Sequence, residues 1–110
     1  MPVSLTQKAE ALARDLGGQA RLARLLGVER STVSRWLRGA LAEPRWVSRV
    51  DALEFVLAEA RRVFGPAGAE KWLRGIEPRL GDRRPADLLR AGRVVEVLRA
   101  LTEHHAGSYA

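Results

Sequence analysis

The sequence has no cysteine among its 110 residues, which excludes disulfides, thiolate metal ligands and cysteine nucleophiles together. No apolar run approaches the roughly 20 residues that a membrane-spanning helix needs. Stretches that alternate apolar and polar residues, enriched in Val, Ile and Thr, are also missing, so a sheet is not expected. The opening "MPVSLTQKAEALARDLGG" holds acidic residues and no apolar core; no secretory leader is read there, and the expected location is cytoplasmic. There is no P-loop, GxSxG, HExxH or paired-carboxylate loop, and no spacing of Ser and His that suggests a triad. No enzyme is expected, no cofactor and no bound metal.

What is present is charge, unevenly placed. The composition is that of an ordinary globular chain, 46% hydrophobic and 29% charged. Basic residues outnumber acidic ones 19 to 13, for a net charge of +6. Between Gln19 and Gly39 stand Arg21, Arg24, Arg30, Arg35 and Arg38 against the single acid Glu29. From Trp46 onward, eleven basic residues face nine acidic ones. A local excess of this kind favours an anionic partner. Arginine dominates over lysine, which suits forked contacts to phosphate or guanine; a GC-rich coding sequence would enrich arginine as well.

The apolar residues recur at helical spacing, and the expected fold class is all-α. A first helix is expected over Leu5–Leu16, with Ser4 and Gln7 as a capping box and Gly17-Gly18 as its stop. A second covers Gln19–Leu26 and ends at Gly27; a third covers Arg30–Arg38 and ends at Gly39. After the linker "ALAEP", a long helix from Arg45 to Phe64 carries Trp46, Val47, Val50, Leu53, Val56, Leu57, Ala60 and Phe64 on one face. "GPAG" interrupts it, a short helix follows at Ala69–Leu73, and "RGIEPRLGDRRP" reads as a loop. Pro85 opens another short helix, and a last one is expected near Arg93–Leu101 before the weakly patterned tail "TEHHAGSYA". Two units are expected, 1–43 and 44–110. Leu53, Val56, Leu57 and Ala60 are either part of a contact between two copies or ordinary core.

The stretch "GVERSTVSRW", Gly27 to Trp36, is either the solvated flank of a helical hairpin or a helix that lies on DNA. With Gln19 as the first position of a helix-turn-helix, Ala23 is the fifth, where two helices cross closely and only a small side chain fits. Gly27 is the ninth, where the chain turns sharply and a positive φ is cheapest for glycine. Val33 and Trp36, the fifteenth and eighteenth, can pack back onto the first helix with Leu22, Leu26 and Leu37. Ser31, Ser34, Arg35 and Arg38 then share the outward face, as a helix in the major groove requires. The candidate DNA-binding residues are Gln19, Arg30, Ser31, Thr32, Ser34, Arg35 and Arg38. Gln19 would hold a phosphate at a helix N-terminus. "QARLARLLGVERSTVSRWLRG" resembles the helix-turn-helix of Xre/Cro-type repressors across its length. Glu29 departs from that pattern, where a Ser or Asp cap is usual; its charge would either repel phosphate or accept from a cytosine amine. The competing reading is a plain hairpin with solvated arginines.

The rest of the chain carries Trp-Leu, Pro-x-Leu-Gly, Pro-x-x-Leu-Leu, and a Gly followed by Val-x-x-Leu, within "EKWLRGIEPRLGDRRPADLLRAGRVVEVLRAL". In these features it is similar to the toxin-binding domain of the Xre/ParS/MbcA antitoxin family, from about Phe55 to the C-terminus. The resemblance implies a type II antitoxin that dimerises, covers the active site of a RES-fold NAD-degrading toxin and represses its own operon. It would have a helix-turn-helix domain at 1–43 and a helical toxin-binding and dimerisation domain at 44–110. The implied blocking element is the end of the last helix plus "HHAGSYA", with Gly107 near its start and Tyr109 and the terminal carboxylate entering a polar cleft.

The candidate toxin-binding residues are therefore Arg79, Arg83, Arg84, His104, His105, Gly107, Ser108, Tyr109 and Ala110. A frayed terminus is the alternative for the last of these, and plain solvent exposure is the alternative for the three arginines. His104 and His105 lack partners at ligand spacing and read as a solvated or interface pair rather than a metal site. Two other functions stay open: a stand-alone Xre-family repressor whose second unit dimerises or senses a ligand, and a pure inhibitor that no longer binds DNA.

Overall fold

A computed structural model of the protein describes residues 4–107. The expectation of an all-α fold holds. The helices are α1 (Leu5–Leu16), α2 (Gln19–Leu26), α3 (Arg30–Leu37), α4 (Pro44–Arg74), α5 (Pro85–Arg90) and α6 (Val94–Gly107), with a short 3-10 turn at Pro78–Leu80. Internal contacts divide the chain into two compact units, residues 1–54 and 55–110, with α4 contributing to both.

In the first unit the helix ends follow local chemistry. Ser4 Oγ accepts from the N–H of Gln7 at 3.2 Å while the Ser4 N–H donates to Gln7 Oε1 at 3.1 Å, so both bonds of the capping box form. Gly27 has φ 74° and ψ 31°, the left-handed conformation that a side chain disfavours. There the N–H of Gly27 donates to the carbonyl of Arg24 and that of Val28 to the carbonyl of Ala23. This pair of bonds satisfies carbonyls that a helix end otherwise orphans. Equivalent pairs close α1 and α3. The third helix stops at Leu37, one residue before the expected end, because Arg38 has already turned to φ −90° and ψ 8°.

The core of this unit is Ala9, Leu12, Ala13 and Leu16 of α1, Leu22, Ala23, Leu25 and Leu26 of α2, and Val33 and Trp36 of α3. Ala23 is 3% exposed, the close crossing for which only a small side chain is suited. Val50 and Leu53 of α4 are buried too, whereas Val47, expected on the same apolar face, is exposed. Thr6 Oγ1 donates to the carbonyl of Trp36 at 2.8 Å, and Lys8 pairs with Asp51. That hydrogen bond from Lys8 to Asp51 raises the amine's pKa above its ordinary value.

In the second unit, the expected interruption is narrower than "GPAG". Only Gly65 leaves helical geometry, at φ 76° and ψ 167°. Pro66 lacks an N–H and has its φ preset, so it opens the next turns without loss. Gly68 is helical; a Cβ there would come within 2.9 Å of Phe64 Cβ. Leu53, Val56, Leu57 and Ala60 are all buried within the chain, which makes them ordinary core and removes them from any contact between copies. The expected loop contains the 3-10 turn and one bridge, in which the N–H of Glu77 donates to the carbonyl of Arg83 at 3.0 Å. The last helix continues past its expected end at Leu101 to Gly107. His104 explains the extension: it follows Val97, Ala100 and Leu101 on the inner face and sets its ring edge-on to Phe64 at 4.6 Å.

Candidate functional site

The turn at Gly27 brings α2 and α3 together as a helix-turn-helix, and burial of Val33 and Trp36 fixes which face of α3 is left outward. Arg30, Ser31, Arg35 and Arg38 are exposed, and Thr32 and Ser34 are half-buried beside them. Arg35 donates to Thr32 Oγ1 and Arg38 to Ser34 Oγ, both at 3.3 Å. The hydroxyls thus lay the guanidiniums along the helix while their remaining N–H groups stay available. Among the described residues, no carboxylate forms an ion pair with Arg30, Arg35 or Arg38. Glu29 stands at the N-cap without a side-chain capping bond, as its departure from the usual cap residue suggested. Gln19 is the first residue of α2, after Gly18. Six of the seven candidate residues for DNA therefore lie on α3 or at the start of α2, and Arg38 caps the C-terminal end of α3.

Three residues that sequence reasoning did not select hold this helix pair. Arg49 Nη1 donates to the carbonyl of Leu26, the last residue of α2, at 3.2 Å. Trp46 lies under two guanidiniums, with Arg45 at 4.9 Å and Arg49 at 5.2 Å from its ring centroid. It also tilts against Trp36 with centroids 6.4 Å apart. Thr6, described above, is the third. The bonds of Arg49 and Thr6 span 23 and 30 residues, distances over which helical periodicity carries no signal.

In the second unit the structure gathers only part of the other candidate set. Glu77 is buried at 5% exposure, and its Oε1, 3.6 Å from Arg79 Nη1, has no hydrogen-bond partner. A buried carboxylate needs a counter-charge, and Arg79 supplies it. The same Arg79 Nη1 lies 3.5 Å from His104 Nδ1, and an added Cβ on Gly107 would sit 3.4 Å from the other guanidinium nitrogen. Arg79, His104 and Gly107 thus meet at the end of α6. Arg83 borders an adjoining cavity of about 160 Å³ with Arg79, Glu96 and Arg99; its Nε donates to the carbonyl of Leu80 at 2.7 Å.

Arg84 turns elsewhere, donating Nε to the carbonyl of Arg74 at the end of α4. His105 faces a separate apolar cavity of about 200 Å³ lined by Phe55, Val63, Leu98 and Leu101, with Glu59 and Arg62 at its edge. The hydrogen bond from Arg62 holds the Glu59 carboxyl below the usual carboxylate range, and the charges of Arg62 and His105 act in the same direction against burial. Ser108, Tyr109 and Ala110 lie outside the described residues.

Among the described residues, no group of three or more His, Asp or Glu could hold a metal ion. No helix there is long and apolar enough to cross a membrane. No curated protein and no solved structure matches the chain. One family model does: residues 59–107 match the antitoxin Xre/MbcA/ParS C-terminal toxin-binding domain. That stretch, which is similar to the toxin-binding domain, contains the Arg79, His104 and Gly107 cluster.

Proposed function

We propose that the protein is a cytoplasmic antitoxin that binds a RES-fold, NAD-degrading toxin and covers its active site. As a homodimer it also represses its own operon through α2 and α3. The observation that carries this reading is the match of residues 59–107 to a toxin-binding domain. The reading is also supported by Arg30, Arg35 and Arg38, which no acidic side chain among the described residues neutralises.

On the DNA side, Arg30, Ser31, Arg35 and Arg38 form the outward set, with Thr32 and Ser34 orienting two guanidiniums and Gln19 at the start of α2. Short hydroxyls permit close approach to the major groove, and guanidiniums supply bidentate contacts to guanine or phosphate. A two-fold dimer would match half-sites about 34 Å apart. On the toxin side the proposed set is Arg79, Arg83, Arg84, His104, His105 and Gly107, together with Ser108, Tyr109 and Ala110, which follow α6 in sequence. Tyr109 and the residues around it would enter the toxin's cleft.

Co-expression with the adjacent gene, size exclusion with light scattering and an NAD⁺-consumption assay test the proposal. A stable hetero-complex in which NAD⁺ consumption is silenced is expected. A lone homodimer that ignores the neighbouring product but shifts its own upstream DNA would instead make the protein a stand-alone repressor. Deleting residues 106–110 is expected to release the toxin while leaving DNA binding intact.

A further inference from the structure

The bonds that end α2 use the carbonyls of Ala23 and Arg24, which leaves the carbonyl of Leu26 without a partner inside its own helix. Arg49 of α4 supplies that partner at 3.2 Å. Its guanidinium also brings positive charge to the negative end of the α2 dipole. The same guanidinium lies over Trp46, and Trp46 tilts against the buried Trp36 of α3. One turn of α4 thus touches the last residue of α2 through Arg49 and the inner side of α3 through Trp46. A planar guanidinium can donate in its own plane while its face lies on a ring; an ammonium has no planar face to stack and so does not reproduce this geometry. Arg45 also lies over Trp46, but its Nε is held by Glu43 at 3.1 Å, so it makes no link to α2.

We infer that Arg49 and Trp46 are positioning residues, which set the angle of the turn between α2 and α3 and hence where Arg35 and Arg38 stand, without touching DNA themselves. This rests on the DNA-binding reading of α3.

The test uses the full chain and two duplex probes: the DNA immediately upstream of the gene, and a scrambled duplex of equal length and composition. Affinities are measured across a salt series. Arg49→Met and Arg49→Lys are expected to lower the ratio of the two affinities about tenfold, the loss of one charge-assisted hydrogen bond. The salt slope stays unchanged, because the phosphate contacts of α3 remain. Trp46→Phe keeps an aromatic face and is expected to fall between these variants and wild type.

Hydrogen exchange of the free protein supplies a readout that needs no DNA: amides of Val28–Val33 exchange faster in Arg49→Met, while those of Ala9–Ala13 do not. A fall of about one in the salt slope of Arg49→Met, with the affinity ratio retained, would make Arg49 a phosphate contact and overturn the assignment. Faster exchange in α1 as well would reduce Arg49 to general support of the fold and overturn it equally. If the wild-type chain does not distinguish the two duplexes, the DNA reading of α3 falls; the exchange measurement still decides whether Arg49 and Trp46 hold the turn.

Discussion

The two units carry nearly the same charge and use it differently. Residues 1–54 hold nine basic and six acidic side chains, and residues 55–110 hold ten and seven. In the second unit, Arg62, Arg74, Arg79, Arg83, Arg90 and Arg93 each have a carboxylate within ion-pair distance. Arg35 and Arg38 rest instead on the hydroxyls of Thr32 and Ser34. Net charge therefore does not distinguish the face proposed for DNA from the second unit; what differs is that Arg35 and Arg38 have no carboxylate within reach, while those six arginines do. A paired guanidinium has already spent part of its field and several of its donors, whereas an unpaired one offers both to a phosphate.

The strongest way to break the comparison is to remove what orients the unpaired arginines. Trp36→Ala is expected to cost about 3–5 kcal/mol in urea denaturation, and to abolish discrimination between upstream and scrambled duplexes. Arg35→Ala isolates the contact itself. It should weaken binding to the upstream duplex by about 1–3 kcal/mol, with stability unchanged to within about 0.5 kcal/mol. A large stability loss there would mean that Arg35 belongs to the fold rather than to the interface.

Glu96→Gln makes the opposite change, releasing Arg93 and Arg83 from their shared carboxylate. A stability cost below about 1 kcal/mol is expected from such exposed pairs, with no change in duplex affinity; tighter DNA binding would show that pairing alone separates the units. The smallest effect belongs to Glu59, whose carboxyl is held below its ordinary range first by the hydrogen bond from Arg62. A depressed folded-state pKa stabilises above the unfolded value, and that stabilisation is lost as pH falls through the folded value. Wild type should therefore melt above Glu59→Gln at neutral pH, and the gap should close below about pH 4.

The sequence made some of this legible, for reasons that are local. Ser4 with Gln7, Gly27 with Val28, and the inward pair Val33 and Trp36 act over a few residues, so α1, α2 and α3 could be bounded almost to the residue. The outward face of α3 followed as the complement of its buried one.

Other features depended on contacts that no short pattern encodes. His104 counts as polar in a hydropathy pattern, yet it continues the inner face of α6 against Phe64. Glu77 lies in what looked like a loop and is buried. Arg49 looks like one more exposed cation until α2 ends beneath it. The second candidate set was only partly legible: Arg79, His104 and Gly107 come together, while Arg84 and His105 turn toward other surroundings.

The paired bonds that end α1, α2 and α3 each close within one short stretch of chain. Their consequence is kinetic. A bundle whose helices stop on instructions carried by adjacent residues has little long-range search to complete, and helical topologies of this kind fold on a timescale of roughly microseconds to milliseconds. Every hydrogen-bond, ion-pair and ring partner of α1, α2 and α3 named above, out to Asp51, emerges from the ribosome before residue 55. The order of synthesis therefore makes these partners available to the α2–α3 pair while the second half of the chain is still being made.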